Sequence, residues 1–203
     1  MPAFFICIIV FVIWFHVKSN QENKSKDTWD KDFWQREHDA DFSRKKDLSD
    51  IEYISIDTEK LPFNQSPDNE EKEFQDKINK LISCKLLNLS AMSNTDIKLE
   101  YGRANFDYLS ECDQNFLVLL RTLNQWGSYI YNTLHDEKRA RRVFEYSIEI
   151  GSDISETYIT LAKIYINSNE PEKIQPLIDT IQKTDSFMKE SITSHLVKLL
   201  NEY

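Results

Sequence analysis

With 203 residues, the chain has room for one domain with a moderate core and a tail, and is short for two domains. Three glycines and five prolines against 29% charged residues favour helices over a turn-rich sandwich or a glycine-looped nucleotide fold. A formal charge of -9 argues against nucleic acid as a general partner, because a phosphate backbone is held by a surplus of lysine and arginine.

Residues 2–17, PAFFICIIVFVIWFHV, carry no charge apart from His16 when protonated. Counted from Met1, 17 helical residues rise roughly 25 Å at about 1.5 Å each, slightly short of a hydrocarbon core of about 30 Å. Trp14 and His16 suit the interface and Lys18 can snorkel, so residues 1–17 read as a single transmembrane anchor. Lys18, Lys24, Lys26 and Lys31 follow it and no basic side chain precedes it. The positive-inside rule then places the C-terminal domain in the cytoplasm, giving a single-pass protein of the cell membrane. A cleaved signal peptide, with Val17-Lys18-Ser19 as a weak cleavage site, is the main alternative, and a buried N-terminal helix is another. Cys7 lies in the apolar run, and Cys84 and Cys112 stand alone, so reduced thiols are expected.

Residues 18–66 read as a charged juxtamembrane tether that ends in an extended arm. Trp29, Phe33 and Ala40 share a helical face that could lie against headgroups, although Asp27, Asp30, Asp32, Glu37, Asp39 and Asp41 would oppose anionic lipid. Glu37, His38, Asp39 and Asp41 are metal-ligand types, but no second His or Cys stands at metal-site spacing, and a solvated helix surface is the preferred reading. Arg44-Lys45-Lys46 is too short for a nucleic-acid patch and reads as solvated or near the membrane. In IEYISID, residues 51–57, Ile54 and Ile56 alternate as on an extended chain, and Leu61-Pro62-Phe63 excludes a continuing helix. NQSPDNEE, residues 64–71, reads as a loop leading into an acidic helix start.

The helical domain is expected over 67–203. Phe74, Ile78, Leu81, Ile82 and Leu86 recur at three- and four-residue steps and predict an amphipathic helix from about 72 to 90. Residues 93–111 are less regular, with Ser93, Asn94 and Asp96 as capping residues and Gly102 as a break. Phe116, Leu119, Leu120, Leu123, Trp126 and Ile130 predict a helix from about 113 to 134. A self-comparison at a shift of 34 pairs Ser128 with Ala162, Ile130 with Ile164, Tyr131 with Tyr165, and Val143 with Leu177.

That period is the tetratricopeptide (TPR) length. The unit 155–188 resembles the motif through Tyr158, Leu161, Ala162 and Tyr165, followed by Ile174, Ile178 and Ile181. The unit 121–154 is looser: Asn124 replaces the first aromatic and Gly127 the leucine, while Ser128, Tyr131, Ala140, Phe144 and Ser147 keep the rest. Ser152 and Ser186 stand where the motif usually has proline. Residues 189–203, with Ile192, Leu196, Leu199 and Leu200, predict a capping helix. More widely, FWQREHDADFSRKKDLSDIEYISI with LPF, and SNTDIKLEYG followed by ECDQNF, resemble a group of bacterial membrane-anchored, TPR-like proteins over most of residues 29–188. The resemblance implies a single N-terminal transmembrane helix and a TPR-like repeat domain, and brings no established activity or ligand. The expected fold is thus mostly α, with an anchor, a short extended arm and helical repeats.

In TPR stacks the first helix of each pair lines a concave groove. That resemblance makes Gln125, Tyr129, Asn132, Ile159, Lys163 and Asn167 the candidate partner contacts. The set does not match the basic carboxylate clamp of chaperone-binding members. The expected function is a membrane-anchored, cytoplasm-facing adaptor for a protein partner. A self-associating structural component, possible as a homo-oligomer, and an extracytoplasmic helical protein are the alternatives. His16, His38, His135 and His195 are widely separated and no HExxH, GxSxG, Walker or Rossmann fingerprint occurs, so no catalytic, cofactor or metal residue is assigned and no enzyme is expected. Lys138, Arg139, Arg141 and Arg142 could meet headgroups or an acidic partner; the preferred reading is a solvated helix with Arg141 paired to Glu145.

Overall fold

The computed structural model describes residues 31–65 and 68–202, together with Phe11, Trp14, Phe15 and Lys18. The chain is mostly α-helical. Helix α1 covers residues 31–41, followed by α2 (Asn69–Leu81), α3 (Asn94–Tyr101), α4 (Phe106–Asn132), α5 (Glu137–Glu149), α6 (Ser155–Asn167), α7 (Ile174–Gln182) and α8 (Lys189–Glu202). Short 3-10 turns precede α4 at Arg103–Asn105 and α7 at Pro171–Lys173. Among the described residues no helix is long and apolar enough to cross a membrane. The anchor expected at 1–17 lies outside the described residues except for Phe11, Trp14 and Phe15, which are helical and exposed. These elements sort into two compact units: residues up to Asp47 with Ser93–Phe106, and Leu48–Met92 with residues from Asp107 onward.

In the first unit, α3 starts with a capping box in which the Ser93 hydroxyl accepts from the Asp96 amide and the Asp96 carboxylate accepts from the Ser93 amide. Polar contacts join α1 to α3: Arg36 pairs with Asp96, Thr95 donates to Glu37, and Lys98 donates to Asp41 at 2.6 Å. Ala40, expected on a lipid-facing side, is instead fully buried. Gly102 ends α3 with φ +87°, and a Cβ there would lie 2.2 Å from the Arg44 carbonyl oxygen, so no other residue fits. The chain after α1 is pinned in the same place, with the Lys46 amide donating to the Tyr101 carbonyl (3.2 Å) and the Asn105 side chain to the Lys46 carbonyl (2.8 Å).

In the second unit, the arm is extended as expected. Ile54 forms a single antiparallel bridge with Leu86, while Ile54, Ile56 and Phe63 pack on the core. The helix expected to reach residue 90 stops at Leu81. Ile82 caps it and is exposed, and Leu86 is buried on extended chain, where the Leu87 amide donates to the Cys112 carbonyl and the Leu89 amide to Asp113. Three- and four-residue spacing continued past the true helix end because Leu86 is buried by pairing with the arm. Helix α4 starts seven residues earlier than its apolar stripe suggested, at Phe106.

Helices α4 and α5 form one hairpin and α6 and α7 the next, with α8 packed on both α6 and α7. Gly127, at the position of an expected leucine, is buried against Phe144; a Cβ there would sit 2.6 Å from the ring. The residues 34 further on are Leu161 and Ile178, both buried. A missing side chain on one helix is thus filled by a larger one on the next, which keeps the core dense. The serines in place of proline have a shared role: the Ser152 hydroxyl accepts from the Ile154 amide (3.3 Å) and the Ser186 hydroxyl from the Met188 amide (3.1 Å). Arg141 pairs with Glu145 as expected (2.8 Å) and also with Glu170 (3.1 Å), while the Tyr165 hydroxyl donates to Glu145, so one ionic ladder joins the two hairpins.

In an ordinary helix interior, replacing glycine by alanine stabilises by roughly 1 kcal/mol. At Gly127 the sign is expected to invert. Gly127→Ala should lower stability by about 1–3 kcal/mol through overpacking, and adding Phe144→Leu should recover part of the loss. Urea unfolding of the full chain checks this; a more stable Gly127→Ala variant would show that the ring yields freely.

Candidate binding surface

The surface marked out by the sequence lies on α4 and α6. Asn124 and Ser128 on α4 donate to the two carboxylate oxygens of Glu156 on α6 (2.9 and 3.2 Å), and the Thr157 hydroxyl donates to Asn124 at 2.9 Å. These bonds tie the first turn of α6 to α4. They also account for asparagine where an aromatic was expected: the position bridges helices through polar atoms. Of the six candidate contacts, Gln125 and Asn132 on α4 and Lys163 and Asn167 on α6 are exposed, and Tyr129 and Ile159 are half-buried. Asn167 is already engaged, donating to Glu137 at the start of α5 (2.7 Å).

Tyr129 is engaged too, by the chain's own α2. Asp68 caps α2 by accepting from the Glu71 amide (2.8 Å), and its carboxylate also accepts from the Tyr129 hydroxyl (3.1 Å), while the Tyr129 ring packs on Phe74 with centroids 5.8 Å apart. Burial first, and then the bond to Asp68, push the Tyr129 phenol up to about 12.

Beneath Tyr129 lies a charged cluster that local sequence patterns did not reveal. Glu71, on the first turn of α2, is 0% exposed. Its carboxylate accepts from the Trp126 indole (3.0 Å) and from Arg139 of α5, which reaches both oxygens at 2.7 and 2.9 Å. Arg139 also donates to Asp136 at 2.9 Å, and Asp136 caps α5 by accepting from the Arg139 amide. Every oxygen of the buried carboxylate therefore has a donor, as burial demands. For Arg139, burial works against the charged form, and the bonds to Glu71 and Asp136 outweigh it, raising the guanidinium pKa. For Asp136, burial also opposes the charge, but bonds from Arg139 prevail and its carboxyl lies below the usual range. The preferred solvated reading of the basic cluster thus fails at Arg139. A fully buried indole needs an acceptor, so Trp126 was the signal that could have prompted a search for a buried acid.

The acidic group considered for metal at residues 37–41 is dispersed among protein partners: Glu37 takes Thr95, Asp39 takes Gln35, and Asp41 takes Lys98. Of the two thiols among the described residues, Cys112 is buried, which pushes its pKa up, and Cys84 is half-buried; neither forms a disulfide. No protein-family model matches the chain, nor does any curated protein or solved structure.

Removing Arg139 leaves a charge buried without its partner. Arg139→Ala should cost about 3–5 kcal/mol in urea unfolding, and the double variant Glu71→Leu with Arg139→Met should recover only part of it, because the buried Trp126 indole then lacks its acceptor. A loss below about 1 kcal/mol would place the pair in the class of solvated ion pairs. The depressed Asp136 carboxyl adds stability that is complete above its unfolded value near 3.8 and is lost as pH falls through the lower folded value. Asp136→Asn should therefore flatten the fall in stability below about pH 4; an unchanged acid limb would remove Asp136 from the cause.

Proposed function

We propose that the protein is a membrane-anchored, cytoplasm-facing adaptor that holds a TPR-like helical surface for a protein partner. The observation that carries the reading is the tie between α4 and the first turn of α6 through Asn124, Ser128, Glu156 and Thr157, with Gln125, Asn132 and Lys163 exposed on the same two helices. Amide and ammonium groups in such a place suit an extended peptide backbone or a carboxylate. The 34-residue echo supports the repeat class, and the uncharged run 2–17 with lysines on its C-terminal side supports the anchor and its orientation. Tyr129 and Asn167, held by Asp68 and Glu137, serve to shape the surface in this reading. Self-association is a second reading with its own observation: Phe187 is fully exposed, and Met188 and Val197 are 45% and 41% exposed, at the C-terminal end of the helices.

The test combines compartment and contact. A thiol reporter at exposed Gln182 (Gln182→Cys) in the full chain should resist a membrane-impermeant reagent in intact cells and react after permeabilisation. Labelling of intact cells would overturn the cytoplasmic placement. Cross-linking in the same cells should yield a protein partner that Gln125→Ala with Lys163→Glu reduces by about tenfold or more, on the scale of contacts at an interface centre. An undiminished yield would overturn the surface, and cross-links only to a second copy would favour self-association.

A further inference from the structure

Helix α1 presents two unlike sides. Arg36, Glu37, Ala40 and Asp41 turn toward α3, where Arg36 pairs with Asp96, Glu37 accepts from Thr95, and Asp41 accepts from Lys98. Trp34, His38 and Phe42 recur at steps of four residues and so follow one another along a different side of the helix. Trp34 is 68% and Phe42 75% exposed, and the His38 and Phe42 rings pack at a tilt of 34° with centroids 4.6 Å apart. Three basic residues, Arg44, Lys45 and Lys46, follow at once and are exposed. Their backbone is pinned by Gly102, Tyr101 and Asn105, so the charges sit at a set place beside Phe42.

We propose that this side of α1, with the basic segment after it, is a foot that rests on the surface of an anionic lipid bilayer. Trp34 and Phe42 enter the boundary between headgroups and acyl chains, where amphipathic aromatic rings are favoured, and Arg44, Lys45 and Lys46 meet anionic headgroups. The acidic residues that oppose such contact in the sequence are partly withdrawn, since Glu37 and Asp41 are spent on α3. Asp39 accepts from Gln35 and lies near His38. The reach of the chain selects lipid as the occupant. Val17 ends the uncharged run and α1 is helical from residue 31, so 13 residues intervene and span at most about 45 Å. The foot rests on the anchor reading, and an anchored α1 never leaves the neighbourhood of the bilayer, so weak insertion suffices.

The test uses the full chain carrying Trp14→Phe and Trp29→Phe, mixed with vesicles of phosphatidylcholine and phosphatidylglycerol brominated on the acyl chains. Emission then comes from Trp34 and from the fully buried Trp126. Flotation with the vesicles reports the anchor, and bromine quenching reports the foot. The expected result is flotation with strong quenching that Trp34→Phe abolishes. Neutralising Arg44, Lys45 and Lys46 to Gln should weaken the docked state about five-fold per charge removed, and this effect should vanish on phosphatidylcholine alone. Flotation without quenching would overturn the foot and leave the anchor standing, whether Trp34 stays in water or is covered by a second copy. Failure to float would overturn both. Circular dichroism of the Trp34, Arg44, Lys45 and Lys46 variants should match the parent, because those side chains are exposed.

Discussion

A carboxylate with no access to water sets the terms for the larger unit. Moving such a charge out of solvent carries a penalty of several kcal/mol even after relaxation, and Glu71 sits on the first turn of α2, where its own helix offers it little beyond the N-terminal dipole. The fold meets the demand from elsewhere, with the Trp126 indole from α4 and the Arg139 guanidinium from α5. Each donor is fixed in turn. Trp126 is buried and in contact with Phe63 of the arm, and Arg139 is held by Asp136, which also starts α5. Three helices thus share one small polar cluster that the arm covers with Phe63, and none of the three helices can move without leaving a buried polar atom unpaired.

The helices beyond α5 depend on that cluster through packing and ionic contact. Phe144 occupies the space left by Gly127, and Arg141 reaches Glu170 past the ring of Tyr165, with its guanidinium 4.9 Å from the ring centroid. A hairpin in which helix–helix spacing is set by a glycine and a phenylalanine tolerates little change, since interiors are packed to crystal-like density. The following hairpin uses leucine and isoleucine at the corresponding places, and both solutions fill the core. The serines at 152 and 186 show the same freedom at the turns, where a hydroxyl accepting an amide two residues ahead performs the ordering role of a proline ring.

How much of this was legible depends on the range of the interaction. Signals spanning a few residues were readable: the Ser93–Asp96 capping box, the break at Gly102, the amphipathic stripes of α4 to α8, and the Arg141–Glu145 pair are all local. The end of α2 was not, because Leu86 satisfies a helical spacing and a strand-like pairing with Ile54 equally well, and only the arm decides between them. Glu71 and Arg139 are 68 residues apart, and each by itself looks like an ordinary surface charge. The same holds for α1. Ala40 looks like part of a membrane-facing side but proves fully buried, and the exposed large apolar residues there are Phe33, Trp34 and Phe42. At the candidate binding surface, the exposure of Gln125, Asn132 and Lys163 agreed with the helical spacing, whereas the engagement of Tyr129 by Asp68 required knowing where α2 docks.

That engagement alters what kind of binding the proposed surface would support. Strong protein interfaces concentrate their energy in a few buried aromatic or arginine anchors. Here the aromatic side chain of the set is bonded to α2, and the exposed members are a lysine and three amides, of which Asn167 is already bonded to Glu137. Such groups give orientation and selectivity more than affinity, because each contact with a partner replaces one with water. A surface of this character works when the partner is already close. Attachment to a membrane, as proposed, would supply that condition for any partner held at the same bilayer, since confinement raises effective concentration without adding a contact. In the proposed reading, a polar, modest binding face and a membrane tether belong to one physical scheme: an anchor would provide proximity, the Glu71 cluster rigidity, and α4 with α6 discrimination.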